Sequence, residues 1–264
     1  MALLYLRQAM LTVGARKFEG FRLAFSVEKT SDSSSNKASV TIYNLNNDSK
    51  AFVEKREGLM RLEAGYEGNL SILFLGDIAK IMTKRSGADI VTVIESGDGE
   101  LRLANAHIEI GFKGGATDRQ IIDKVISALA VGRGIIKGIQ SREYLNGFSY
   151  SGRASELLGN ITKKQNLEWS IQNGSLQIIP KTDNTGETAV LLNAQTGLLD
   201  VPNKTEEGFI AKSLLNPLLM PGRQVKIESE LLTGISIFKI EKARHVGDTR
   251  EGDWITEVEG AGHG

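Results

Sequence analysis

Leu214-Leu215-Asn216-Pro217-Leu218-Leu219-Met220-Pro221-Gly222-Arg223-Gln224-Val225-Lys226-Ile227 is the run that decides how this chain folds. An apolar approach ends at Asn216-Pro217. Pro221-Gly222 then turns the chain into a strand in which Val225 and Ile227 alternate with Lys226 and Glu228. Proline presets φ at the first turn position and glycine supplies φ > 0 at the second, so the pair predicts a turn by mechanism. Upstream runs Thr196-Gly197-Leu198-Leu199-Asp200-Val201-Pro202. Downstream, Val246-Gly247-Asp248-Thr249 is followed by Gly252-Asp253-Trp254. Turns and short strands at this spacing predict a small β unit at the end of the chain.

Outward from that run, the rest of the chain also reads as β. Phe21, Leu23, Phe25 and Val27 alternate with Arg22, Ala24, Ser26 and Glu28, the period of a half-buried strand. After the polar loop Thr30 to Asn36, Ala38, Val40 and Ile42 begin a second strand ending at Asn44. Asp48 to Arg56 predicts a short helix stopped by Gly58. Met60, Leu62, Ala64 and Tyr66 alternate again, Gly68-Asn69 turns the chain into Ile72 to Leu75, and Ile90 to Ile94 ends at Gly97-Asp98-Gly99. Strands this close, joined by short turns, predict a barrel or sandwich.

The middle changes period. Thr117 and Gln120 fit a capping box, with Ile121, Val125 and Leu129 on one helical face and an end near Gly132. A second helix is expected from Ser151 or Gly152, with Ala154, Leu157, Leu158 and Ile161 on one face and Lys163 and Lys164 in its last turn. Leu167, Trp169 and Ile171 then lead into Asn173-Gly174, and Leu176 and Ile178 lead out to Pro180, the pattern of a two-residue hairpin. The predicted units are 1–105, 106–182 and 183–264. The letters show no repeat.

Thr196–Pro202, Leu214–Ile227 and Val246–Trp254, in that order, resemble the second barrel of phage baseplate hub proteins, relatives of the type VI secretion spike base. Lys37 to Gly76, with Tyr43-Asn44-Leu45, Leu62-Glu63-Ala64-Gly65-Tyr66 and Phe74-Leu75-Gly76-Asp77-Ile78, resembles the first barrel of the same proteins. The resemblance implies a mainly β chain with two tube-like β-barrels flanking a two-helix plus hairpin α+β middle. It also implies a homotrimer whose six similar barrels adapt a hexameric tail tube to a three-fold spike or tip and line the DNA conduit. The implied partners are the tail tube protein, the spike or tip and other baseplate proteins, in the virion tail after assembly in the host cytoplasm. Tyr43, Leu45, Phe74, Leu75, Leu218, Leu219 and Met220 are the residues expected at subunit contacts.

Composition agrees with a conduit. Lys+Arg and Asp+Glu both number 32, so no basic excess exists to hold phosphate, and basic residues alternate with acidic ones. DNA is expected only in transit. With no cysteine, disulfides and thiolate chemistry are excluded. The first ten residues lack the basic-then-apolar pattern of a signal peptide, and no run of about 18 apolar residues predicts a membrane span.

Candidate chemistry is thin. Gly111-Phe112-Lys113-Gly114-Gly115-Ala116-Thr117 precedes a helix, but its lysine is out of order for a phosphate loop. Asp248, Glu251 and Asp253 do not follow calcium-loop spacing, and Glu257 and Glu259 share one face of a strand. His107, His245 and His263 are scattered, and Trp169 and Trp254 read as core anchors. No catalytic residue, cofactor or metal is expected. Against the hub stand two alternatives, a tail-associated cell-wall hydrolase and a hexameric tail-tube or distal-tail protein.

Overall fold

The computed structural model describes residues 6–204, 208–229 and 236–262. The first part is all strand but for one short helix: β1 (Arg7–Val13), β2 (Arg16–Phe18), β3 (Leu23–Thr30), β4 (Lys37–Tyr43), α1 (Asn47–Glu54), β5 (Leu59–Tyr66), β6 (Asn69–Ser86) and β7 (Asp89–Gly97). The alternation read in the sequence sets the faces, since Leu23, Phe25, Val27, Ala38, Val40 and Ile42 are all buried. Helix α1 starts one residue before expectation because the Asn46 side chain accepts from the Ser49 amide at 2.8 Å.

The middle part contains α2 (Glu100–Asn105), β8 (His107–Phe112), β9 (Ala116–Thr117), α3 (Asp118–Leu129), β10 (Gly132–Ile136), β11 (Glu143–Tyr144), β12 (Phe148–Arg153), α4 (Ala154–Lys164), β13 (Leu167–Gln172) and β14 (Ser175–Pro180). The sequence did not disclose α2. Gly99, at φ 68°, turns the chain straight from the Gly97-Asp98-Gly99 corner into it. Thr117 and Gln120 form the capping box of α3, which ends on Ala130 in the left-handed region at φ 50°. Helix α4 starts at Ala154, later than expected, because Ser151 to Arg153 stay paired with β8.

Strands β13 and β14 pair antiparallel, Gln172 opposite Ser175, around Asn173 at φ 51° and Gly174 at φ 77°. Strand β10 adds in parallel to the far edge of β14, a pairing that no local pattern announces. A Cβ on Gly174 would lie 3.2 Å from Leu75 Cδ2 in a left-handed conformation. Gly174→Val should therefore cost about 1–2 kcal/mol or more, since left-handed backbone disfavours a side chain and a β-branched one most. Chemical denaturation reads this; an unchanged midpoint would mean the turn does not need glycine.

The last part comprises β15 (Val190–Leu192), β16 (Asn203–Lys204), β17 (Gly208–Leu214), β18 (Gln224–Ile227), β19 (Ser236–Asp248) and β20 (Trp254–Gly262). Pro221-Gly222 makes the expected turn, with Gly222 at φ 85°.

Long-range pairing joins the two ends of the chain. One 13-stranded sheet runs β16-β17-β20-β19-β3-β4-β7-β6-β5-β1-β2, with β18 and β15 branching from β19. The junction is β19 against β3, from Lys242 opposite Thr30 to Asp248 opposite Ala24. Among the described residues the ladder does not close on itself, so in place of the expected pair of closed barrels there are two halves of one open sheet. Each half has the same order of antiparallel neighbours, β4-β7-β6-β5 in the first and β17-β20-β19-β18 in the last.

Three buried clusters underlie these parts. The first holds Leu11 to Ile94 plus Leu215 and Trp254, the second Ile108 to Ile178, and the third Val190 to Val258. Trp254 and Val258 share a strand yet pack in different cores.

Candidate functional site

The residues expected at subunit contacts divide by burial. Leu45 and Phe74 are buried in the first core and Leu219 in the third, so these three are packed inside their own chain. The physical reason for Phe74 is a bulge. The register of β5 on β6 shifts between Leu62 and Glu63, which lets consecutive Leu73 and Phe74 both face inward. Tyr43 and Leu75 are half-buried, Tyr43 beneath the Arg22 guanidinium at 4.4 Å and Leu75 against Gly174. Met220 is half-buried, and Leu218 is 50% exposed on the turn fixed by Asn216, whose side chain accepts from the Leu218 amide. Leu215 before that turn and Leu219 after it are anchored in different cores.

The internal seams are polar. Around β3 and β19, Lys29 is 2% exposed and its Nζ donates to Asn173 Oδ1 at 2.6 Å, while the Gly174 amide donates to Asp98 Oδ1 at 2.9 Å. Asn36 donates to the Ile171 carbonyl, and Gln172 donates back to the Thr30 carbonyl. Asn36 also donates to Gln172 Oε1 at 3.1 Å, so the hairpin tip of the middle part is held by several hydrogen bonds to the first part. On the other side, buried Lys239 of β19 reaches Glu168 at 2.7 Å and the Lys181 carbonyl at 2.9 Å. Sequence reasoning missed both lysines, since nothing local distinguishes them from the exposed lysines around them.

Burial dominates the electrostatics here. It drives the Lys29 ammonium down and the Asp98 carboxyl up, with each partner's charge opposing the shift. His245, fully buried with Nδ1 2.8 Å from Thr256 Oγ1, is pushed down to about 3 by burial and then by Lys29. It therefore stays neutral in the fold, while the unfolded chain takes up its proton below pH about 6.5. Its contribution is complete above that pH and is lost at about 1.4 kcal/mol per pH unit below it. Asp98 acts in the opposite sense at acid pH, so the clean measurement is a comparison. The stability advantage of the wild type over His245→Gln should shrink by about 2 kcal/mol between pH 6.5 and pH 5. A gap constant with pH would show that His245 titrates normally in the fold.

Other sequence candidates are placed without convergence. His107 is exposed on β8, and His263 lies outside the described residues. Glu257 and Glu259 do share a face, where Arg244 and Lys242 pair with them at 3.2 and 3.3 Å. Among the described residues no group of three His, Asp or Glu is placed to hold a metal ion, and none of their helices is long and apolar enough to cross a membrane.

Two surfaces stand out among the described residues. Strand β6 continues to Ser86, but β5 stops pairing with it at Asp77, so the outer edge from Lys80 to Ser86 has no ladder partner among the described residues. At the far end of the sheet, Leu199, Val201 and Ile210 are 45%, 58% and 45% exposed beside β16. Unpaired sheet edges and exposed apolar side chains are what association uses.

No protein-family model matches the sequence, and no curated protein matches it. Solved structures do match. The 43 kDa tail protein of prophage MuSo2 from Shewanella oneidensis aligns with a TM-score of 0.67 at 10% identity, over 97% of this chain and 96% of that one. The tail protein from Neisseria meningitidis MC58 gives 0.66 at 11% identity, over 98% of both chains. An E. coli component of the type VI secretion system, itself described as similar to T4 bacteriophage tail proteins gp27 and gp5, gives 0.66 at 10% identity over 96% and 77%. At this identity the likeness is one of fold. The resemblance read in the sequence, to tail hub and type VI secretion proteins, holds for the fold of the whole described chain.

Proposed function

We propose that this chain is a structural protein of a phage or phage-like tail, a baseplate hub that assembles as a trimeric ring. Units 1–105 and 183–264 are its two tube-like barrels, each completed by neighbours in the ring, and 106–182 is a bracing unit on the seam. The observation that carries the reading is the shared strand order of the two end parts within one sheet, on a fold shared with tail proteins. Three chains with two similar parts each present six similar faces, which adapts a hexameric tail tube to a three-fold spike or tip. Polar strand faces with balanced charge, such as the Arg244–Glu257 and Lys242–Glu259 pairs, suit a lumen that passes DNA without retaining it. Leu218, Met220, Leu75 and Tyr43 remain the proposed contact residues, joining the chain to its copies, the tube protein, the spike and other baseplate proteins. The reading places the chain in the virion tail, after assembly in the host cytoplasm, and assigns it no catalytic step.

Imaging and mass measurement of the purified ring test this. Three chains with six similar lobes are expected. Six chains with one lobe each would replace the hub by a tube protein, and turnover of purified cell wall would replace it by a hydrolase.

A further inference from the structure

The two halves correspond residue by residue, although no repeat shows in the letters. In β6 a bulge falls between Ile78 and Lys80, after which Lys80 stands opposite Glu95 of β7. In β19 a bulge falls between Ile240 and Lys242, after which Lys242 stands opposite Glu259 of β20. Three residues beyond each lysine comes a polar pair whose second member is buried: Thr83 with Thr92 at 3.1 Å in the first half, His245 with Thr256 at 2.8 Å in the last. The next strand out is β4 in one half, with Ser39 opposite Glu95, and β17 in the other, with Ile210 opposite Glu259. Beyond those lie β3, with Ser26 opposite Ser39, and β16, with Asn203 opposite Ile210. Strand β6 is therefore the counterpart of β19, and β16 the counterpart of β3.

The chain uses one of these joints internally. Strand β19, from Lys242 to Asp248, pairs with β3. Its counterpart, β6 from Lys80 to Ser86, has a free outer edge among the described residues, and the counterpart of β3 is β16, the end strand of the described sheet. We infer that the free edge of β6 in one copy of this chain pairs antiparallel with the β16 edge of a second copy, repeating between molecules the β19–β3 joint within one. This deepens the ring reading and rests on it. Transferring the register Val246 opposite Ser26 and Asp248 opposite Ala24 puts Lys84 opposite Asn203 and Ser86 opposite Val201. The joint covers the exposed Val201 and Leu199 and brings Lys84 and Arg85 toward Asp200. Pairing satisfies backbone groups that a free edge leaves to water, and opposite charges fix the register.

The chain has no cysteine, so introduced pairs report cleanly. Ser86→Cys and Val201→Cys are placed on separate copies, mixed and oxidised, with Thr12→Cys on β1 replacing Ser86→Cys as the control. Directly opposed residues meet disulfide geometry. A covalent dimer from the Ser86/Val201 mixture and none from the control is expected. Lys84→Glu with Arg85→Glu should weaken association at least about tenfold at low salt. Rings that assemble without this crosslink would overturn the joint and leave the hub standing. Absence of both ring and crosslink at concentrations of tens of micromolar, with each variant folded, would overturn both.

Discussion

Trp254→Ala should lower the stability of the protein by about 3–5 kcal/mol, a large share of a typical total of about 5–15 kcal/mol. The indole is 2% exposed, meets Phe25 edge-on with ring centroids 5.4 Å apart, and carries the Arg7 guanidinium 5.8 Å above it. Arg7 in turn donates to the Gly252 carbonyl at 2.8 Å, and Arg22 pairs with Asp248 at 2.9 Å. The turn between β19 and β20 thus closes the first core from the last part of the sequence. The loss should appear in the first half, as faster amide exchange in β1 and β3, as well as in the global denaturation midpoint. An unchanged midpoint would mean the residue is not a core anchor, and loss confined to β17–β20 would mean the two ends are stabilised separately.

Asp98→Ala is expected to cost a similar amount, about 3–5 kcal/mol, because it leaves the Lys29 ammonium buried without a counter-charge. Asp98 has no exposed surface, and the substitution also removes the acceptor of the Gly174 amide. The cost should fall on the attachment of the middle hairpin, seen as protease sensitivity around Asn173. Replacing both members, as Lys29→Met with Asp98→Leu, should recover much of the loss, since a buried pair exchanged for apolar side chains of similar size is often nearly neutral. Equal losses in the single and double variants would show that the hydrogen bonds to the hairpin tip, rather than the charges, hold the seam.

Much of the local structure was legible because it depends on short-range physics. Period-two alternation marked β3, β4 and β5. Thr117 with Gln120 marked the start of α3, and Asn173-Gly174 marked a turn that needs φ > 0 twice. Pro221-Gly222 did the same before β18. Trp254 was legible as a buried anchor, because a large aromatic in an apolar strand pattern has few other places to go. The resemblance at both ends pointed to a β-rich chain with the fold of tail hub proteins, and that fold is the one the solved structures share.

Tertiary structure alone decided which core each residue enters. Trp254 and Leu215 belong to the last part of the sequence but pack in the first core, because β19 joins β3 across more than two hundred residues. Leu45, Phe74 and Leu219, read as contact residues, are buried in their own chain, Phe74 because of a bulge that no residue type announces. Lys29 and Lys239 are buried because a hairpin from elsewhere brings them acceptors. The repeat is likewise invisible in the letters and plain in the register. Strand order and hydrogen-bond partners are set by pairing across sequence distance, whereas the side chains that fill them need only the right size and polarity. A one-dimensional pattern carries the faces of strands and the chemistry of turns; which edge stays free for another molecule is determined by how all the strands have paired.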